Sequence, residues 1–473
     1  MSRSSLPSWA RTVALALAAI LAQPVLASAS AAADEVHDRL GAVPGMRFIG
    51  ESTNEVPAGY RYFTYVYRQP VDHRNPGGAS FEQRIRFMHR GFDRPVIGET
   101  EGYVLWPKPY RLDLTRTVDG NQITIEHRYF ASSKPAGPLD WSKLDIWQAA
   151  TDHHRVIQAL RKVYGRKWIT TGGSKSGMAS VYHRRFYPDD VDATVPYVAP
   201  SDANEADDTG QVTHFDTVGS EECRTRVRAF QRRALTLRDE VVPRLQKDAD
   251  AKGQTYRIFG GVDRSYEYAV SHLPWGLWQS GDSEANCRLI GPADASADQV
   301  YEWAVKDGIT LAVHDKYLVE GGYLPFRYQA ATQLGSATLP TWYLKDLLRH
   351  IPSQARDFVP RDIPVTFDTK AMSDVHEWVR RHADRMLFVY GANDPWSGEK
   401  FELGEHVKDS YVVTVAGQNH GAEIYHLPKE EADRYNALIR SWAGVGAEAR
   451  TAGTRFVPGL DDVRPHRMPG LFG

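Results

Sequence analysis

Cysteine is almost missing from this chain of 473 residues: only Cys223 and Cys287 occur, too few for a disulfide-dense scaffold or a four-cysteine zinc site. Excess charge of one sign is missing as well. The 57 Lys and Arg face 59 Asp and Glu, which removes the basic footprint of a nucleic-acid binder. Long apolar runs are missing beyond the first residues, so no membrane span is expected in the body of the chain. What is plentiful is hydrophobic side chain, 42% of residues with 11% aromatic, which argues against disorder and for a well-filled core. At ~150 residues per domain the length suggests about three units, or one large enzyme domain carrying an insertion.

The one apolar run, Val13 to Ala22, follows Arg3 and Arg11 and ends at Pro24. Ala27-Ser28-Ala29 and Ala29-Ser30-Ala31 then offer small-x-small cleavage sites. This is the layout of a secretory signal peptide, too short for the ~20 residues of a spanning helix. With no Arg-Arg pair, the general export route is expected. Residues 1–33 are therefore assigned as a signal peptide and the mature protein as secreted. Outside the cytosol an even cysteine count suggests one disulfide, Cys223–Cys287, closing a loop of 64 residues. Two separate buried thiols are the alternative.

Strands and helices alternate, with one interruption. Tyr60–Tyr67, Gln83–His89 and Asn121–Glu126 read as strands, and Trp147–Tyr164 as a helix with Ile157, Leu160 and Val163 on one face. A strand at Lys167–Thr171, a helix at Gly177–Phe186 and a strand near Ala193–Val198 follow. From Ser201 to Asp374 the pattern is helical, with Arg224–Ala251 charged and helical in pattern. Strands resume at Arg385–Tyr390 and Tyr411–Ala416, and a helix follows Pro428. The expected fold is an α/β-hydrolase with a mostly parallel, doubly wound sheet. Residues 34–200 and 375–473 would form the catalytic domain, and 201–374 a helical cap. The last ~30 residues, rich in Gly and Pro, are expected as surface coil.

The chemistry begins where Lys167–Thr171 runs into Gly172-Gly173-Ser174-Lys175-Ser176-Gly177-Met178. A nucleophilic serine at a tight strand-to-helix turn needs small residues two places before and after it. Ser174 has Gly172 and Ser176 there. Ser176 as the nucleophile would have Met178, which is too bulky. The Lys175 N–H, opening the helix, would face a developing oxyanion. The acid and base should follow in that order after later strands. Asp394 in Gly391-Ala392-Asn393-Asp394-Pro395 and His420 in Gly417-Gln418-Asn419-His420-Gly421 fit. His420 would take the Ser174 proton, with Asp394 fixing its tautomer, so activity should fall below about pH 6. For the second oxyanion donor, a backbone N–H of Gly91 or Phe92, after the strand Gln83–His89, is the candidate.

Gln69-Pro70-Val71-Asp72-His73, Glu126-His127-Arg128-Tyr129-Phe130, Gly172-Gly173-Ser174 and Asp394-Pro395-Trp396-Ser397 together resemble the proline-specific serine peptidases of the prolyl carboxypeptidase and dipeptidyl-peptidase II type. The segments Gly-Gly-Ser-Lys-Ser-Gly-Met and Gly-Gln-Asn-His-Gly are similar, more closely, to the secreted bacterial prolyl tri/tetrapeptidyl aminopeptidases. The resemblance runs from about Tyr60 to His420. It implies the triad Ser174, Asp394 and His420 and cleavage after proline, releasing short peptides from a free N-terminus.

Such an enzyme needs carboxylates for the substrate's α-ammonium. Glu205 is the first candidate and Asp202 the second, both at the entry to the expected cap; a solvated acidic linker is the alternative, and Ala206 spoils a calcium loop. A proline ring needs aromatic walls, for which Trp396, Trp275 and Trp278 are candidates. His127, His153 and His154 lack metal-ligand spacing, and Glu126 and Arg128 read as an ion pair buttressing the sheet, so no metal or cofactor is implied. Peptides are the expected partners, and a monomer the default. An esterase using the same triad and a catalytically silent binding protein are the rival readings.

Overall fold

The computed structural model describes residues 35–54, 56–204, 207–280, 283–306, 313–336, 339–446 and 455–461. The expected signal peptide, Glu205 and most of the expected C-terminal coil lie outside them.

Nine strands form one sheet in the order β1-β2-β3-β5-β4-β6-β7-β8-β9. β1 (Met46–Ser52), β2 (Arg61–Pro70) and β3 (Ser80–His89) pair antiparallel, and β3 meets β5 (Asn121–Ile125) antiparallel. From β5 onward every pairing is parallel, through β4 (Val96–Thr100), β6 (Trp168–Gly173), β7 (Ala193–Tyr197), β8 (Leu387–Gly391) and β9 (Tyr411–Val415). β4 through β8 are buried at every position, as strands covered on both faces must be. β4, Val-Ile-Gly-Glu-Thr, is as buried as its neighbours, but with Gly98 and Glu99 it offers neither an alternation nor an apolar run, and so escapes a sequence reading.

Among the described residues, the helices of nine or more residues are α1 (Ile146–Leu160), α2 (Lys175–Phe186), α3 (Thr209–Thr217), α4 (Glu221–Thr236), α5 (Arg238–Ala251), α6 (Val262–Gln279), α7 (Ala297–Lys306), α8 (Ala371–His382) and α9 (Lys429–Trp442). The Asp145 carboxylate caps α1 by accepting from Gln148 N at 2.6 Å. Its apolar face, with Val156, Ile157 and Leu160 fully buried, packs on the sheet core beside Phe63, Phe87 and Trp168. On the opposite face α9 buries Tyr435, Ile439 and Trp442 against Val195, Val389 and Val413.

Between β7 and β8 the described residues contain helices and no strand. This helical insertion has its own core, built on Phe230, Phe259, Tyr266, Leu277 and Trp278. Cys223 and Cys287 are bonded within it, with Cα atoms 5.8 Å apart. The segment Arg224–Ala251, helical in pattern, is formed by two helices, α4 and α5, separated at Leu237. No helix among the described residues is long and apolar enough to cross a membrane.

Candidate active site

β6 delivers Ser174 at the carboxyl edge of the sheet, where open α/β sheets bind ligands. The turn is sharp: Ser174 has φ 58° and ψ −129°, a conformation that costs a non-glycine residue roughly 1–3 kcal/mol. Ser174 N–H donates to the Tyr197 carbonyl at 2.9 Å, locking the turn to β7. Gly172 is obligatory, because a methyl there would lie 2.4 Å from the Ser176 carbonyl. The Lys175 N–H opens α2 and so belongs to the first helical turn, whose N–H groups have no intrahelical acceptor. Ser176 is fully buried; its hydroxyl donates to Glu101 Oε1 and accepts from Gly102 N, both at 2.8 Å.

Asp394 follows β8 and His420 follows β9. His420 Nδ1 donates to Asp394 Oδ2 at 2.7 Å, and Asp394, fully buried, also accepts from Trp396 N at 3.1 Å. With Nδ1 committed to the carboxylate, the neutral ring presents its lone pair on Nε2. Gly391 lets the two loops close, since a methyl there would sit 2.2 Å from the Asn419 carbonyl. The His420 N–H reaches the Gln279 carbonyl of the insertion at 3.3 Å. Trp396 joins the parts: it lines one cavity with Ser174, and its ring lies 6.3 Å from that of His420.

That cavity is narrow and largely apolar. Tyr103, Met178, Phe326, Leu334 and Trp396 wall it, with Asp202 and Glu399 as its carboxylates. Asp202 arrives there because Ser201 N donates to the Glu399 carbonyl at 3.0 Å and Pro200 bridges Lys400. Glu399 has no motif around it and is found only through this pairing. Trp275 stands behind Trp396, with ring centroids 4.6 Å apart. Trp278 does not reach the cavity: it is 2% exposed, inside the core of the insertion. Its indole packs on Gly219, where a methyl would lie 1.9 Å away.

Two further expectations are corrected. Gly91 and Phe92 lie at the wrong edge of the sheet. β3 runs antiparallel to β5, so its end meets Asn121 at the start of β5, and Gly91 N donates to Asn121 Oδ1 at 3.1 Å. The loop that does face the nucleophile follows β4, the parallel neighbour of β6. Here Gly102 touches the turn so closely that a methyl would sit 2.7 Å from Ser176 N. Burial pushes the Tyr103 phenol well above its usual range, opposed by a hydrogen bond with Ser174.

Glu126 and Arg128 are the second correction, for they do not pair. β5 ends at Ile125, so the alternation that would set both side chains on one face stops before them. Glu126 accepts from Leu105 N at 3.0 Å and Ser133 Oγ at 2.5 Å. Arg128 instead clamps Asp152 on α1 through Nε at 2.6 Å and Nη2 at 2.8 Å, and His73 Nε2 meets the same carboxylate at 2.7 Å. Two of the sequence motifs thus meet at Asp152, a residue without any local signal. No group of three or more His, Cys, Asp or Glu among the described residues is arranged to hold a metal.

A parallel half-sheet, a serine on a strained strand-to-helix turn, and an Asp–His pair after two later strands define a serine hydrolase of the α/β-hydrolase fold. Within that class the chain belongs to the PS-10 peptidase S37 family, whose model matches residues 29–455. It is 45% identical over 428 residues to a prolyl tri/tetrapeptidyl aminopeptidase of Streptomyces mobaraensis, covering 89% of this chain and 88% of the relative. It is 25% identical over 268 residues to the serine protease vicPb of Bipolaris victoriae (strain FI3), covering 50% and 49%. Among solved structures, the proline iminopeptidase of Mycobacterium smegmatis is 12% identical with TM-score 0.34, over 80% of this chain and 98% of that one. Carboxyl esterase 2 of Tuber melanosporum is 11% identical with TM-score 0.35, over 88% and 97%. These two overlaps are too loose to carry more.

Proposed function

We propose that the protein is a secreted exopeptidase that removes tri- and tetrapeptides from free N-termini, cutting after proline. The observation that carries this is the Asp394–His420 contact of 2.7 Å, linked to the Ser174 cavity through Trp396, in a chain 45% identical to an aminopeptidase of that description. Ser174 Oγ attacks the carbonyl carbon of the proline residue while His420 Nε2 takes its proton. The tetrahedral intermediate collapses to an acyl-enzyme as His420 passes the proton to the leaving amine, and water reverses the sequence. Asp394 holds the ring and stabilises the imidazolium. Trp396, backed by Trp275, and Phe326 offer a pyrrolidine ring flat apolar walls. Asp202 and Glu399 supply negative charge for the α-ammonium group. The insertion roofs this space, which favours thin, unfolded N-termini over folded chains.

The test uses chromogenic tripeptides ending in proline, with the N-terminus free or acetylated, beside short acyl esters. Free peptides should be turned over at least tenfold faster than acetylated ones. Equal rates would remove the aminopeptidase reading, and turnover of esters alone would replace it with an esterase. A serine-directed phosphonate should label the wild type and fail on Ser174→Ala.

A further inference from the structure

We infer that the second oxyanion donor is the phenol of Tyr103, acting beside the Lys175 N–H. This rests on the Ser174–His420–Asp394 reading above and deepens it.

An oxyanion hole needs two donors aimed at the substrate oxygen. In this fold the second normally comes from the loop after an early strand that neighbours the nucleophile strand. That loop is Glu101-Gly102-Tyr103, after β4. Its backbone donors are turned away. The buried Glu101 carboxylate accepts at Oε1 from Gly102 N at 2.9 Å, from Tyr103 N at 3.1 Å and from the Ser176 hydroxyl at 2.8 Å. Gly102 N also donates to Ser176 Oγ. The Lys175 amine donates to the Gly102 carbonyl from the other side. Both N–H groups that would serve as the backbone donor are therefore engaged beneath the turn.

The Tyr103 side chain points the other way, into the cavity that holds Ser174. Its ring is set by edge contacts to Phe130 at 5.9 Å, Phe326 at 5.7 Å and Tyr323 at 6.1 Å. The Lys175 amine lies 5.4 Å from the ring centroid. Tyr103 and Ser174 line the same cavity, and burial pushes the phenol up, so it stays protonated across the working range. In the reaction the Ser174 Oγ–carbon bond forms, the Oγ proton passes to His420 Nε2, and the carbonyl π pair moves onto oxygen. The Tyr103 O–H donates to that oxygen and keeps its proton throughout. The oxygen pair then returns and the amine leaves with the proton from His420. The buried Glu101, Ser176 and Lys175 side chains are positioning residues, tying the loop to the turn so that phenol and Lys175 N–H converge.

The experiment is Tyr103→Phe, assayed on the free proline tripeptide and against a peptidyl boronate that mimics the tetrahedral state. Expected is a fall in kcat of about 100- to 1,000-fold with KM within about twofold, as for loss of one oxyanion donor. Boronate affinity should fall by a similar factor, while inhibition by the product tripeptide stays unchanged. A kcat within threefold of wild type, or unchanged boronate affinity, would overturn the inference in favour of a backbone donor. Should Tyr103→Phe fail to fold, ring-fluorinated tyrosines at position 103 replace it: kcat should vary with phenol acidity, and a flat response overturns the claim. Phosphonate labelling that persists in Ser174→Ala would instead sink the triad reading, so the two failures are distinguishable.

Discussion

Ser176 shows how one side chain fits two incompatible descriptions until its neighbours are known. By sequence it is a tolerated stand-in for the glycine of a nucleophile turn. In the fold it is a buried hydroxyl that joins the turn to Glu101 and Gly102. Ser176→Ala leaves the Glu101 carboxylate and the Gly102 N–H each short of a partner, which should cost about 1–3 kcal/mol of stability. Phosphonate labelling of Ser174 should survive that change, measured beside a urea melt. Labelling lost in Ser176→Ala and kept in Ser174→Ala would mean that the nucleophile is Ser176. The candidate residues Ser174, Asp394 and His420 are legible because each sits in a local motif just after a strand. Tyr103, Glu101, Glu399 and Asp152 are not. They reach the site, or support it, through pairings between distant segments, and nothing in their immediate neighbours distinguishes them from core residues.

Elements are legible where an alternation or an apolar, β-branched run marks them, and illegible where neither does. β2, β3, β6, β8 and β9 stand within a few residues of their expected places, and α9 follows Pro428 as its pattern required. β4 is not legible because a strand covered on both faces needs no alternation, and Gly98 and Glu99 leave it no apolar run in its place. Without β4, the early strand that a sequence offers for an oxyanion donor is β3, whose end lies at the opposite edge of the sheet. The insertion was legible as helical but not in its joints, since the break between α4 and α5 falls at Leu237, a good helix former. Its disulfide joins Cys223 on α4 to Cys287 across 64 residues. Closing a loop of that length stabilises by about 4 kcal/mol on the chain-entropy account. The paired change Cys223→Ser with Cys287→Ser should lower the urea-derived stability by up to that amount. Neither sulfur lines the cavity, so the folded fraction should keep its phosphonate labelling. No loss of stability would mean that the bridge merely decorates a core already closed by Trp278 and Leu277.

At the scale of the whole molecule, the fold stores several histidines in neutral form. Burial pushes His153 down to about 3, with His183 adding to it, and His272 likewise to about 3. His89 is pushed down to about 4, again chiefly by burial. His127 is also driven well below its usual value. Unfolded, each returns to about 6.5. The unfolded chain therefore binds more protons between these limits. The stability these groups supply is complete above pH 6.5 and is lost as pH falls toward 4 and 3. Each such histidine gives a slope of about 1.4 kcal/mol per pH unit in that window. The urea midpoint should accordingly fall steadily from pH 6.5 to 4 and, as far as these groups act, stay level from 7 to 8. His153 is the cleanest probe, because its Nδ1 has no hydrogen-bond partner. His153→Gln should flatten the slope by about one proton whatever it does to stability at pH 7. An unchanged slope would mean that His153 takes up its proton in the folded state, and that solvent or a rearranged α1–α2 contact pays no penalty for the charge.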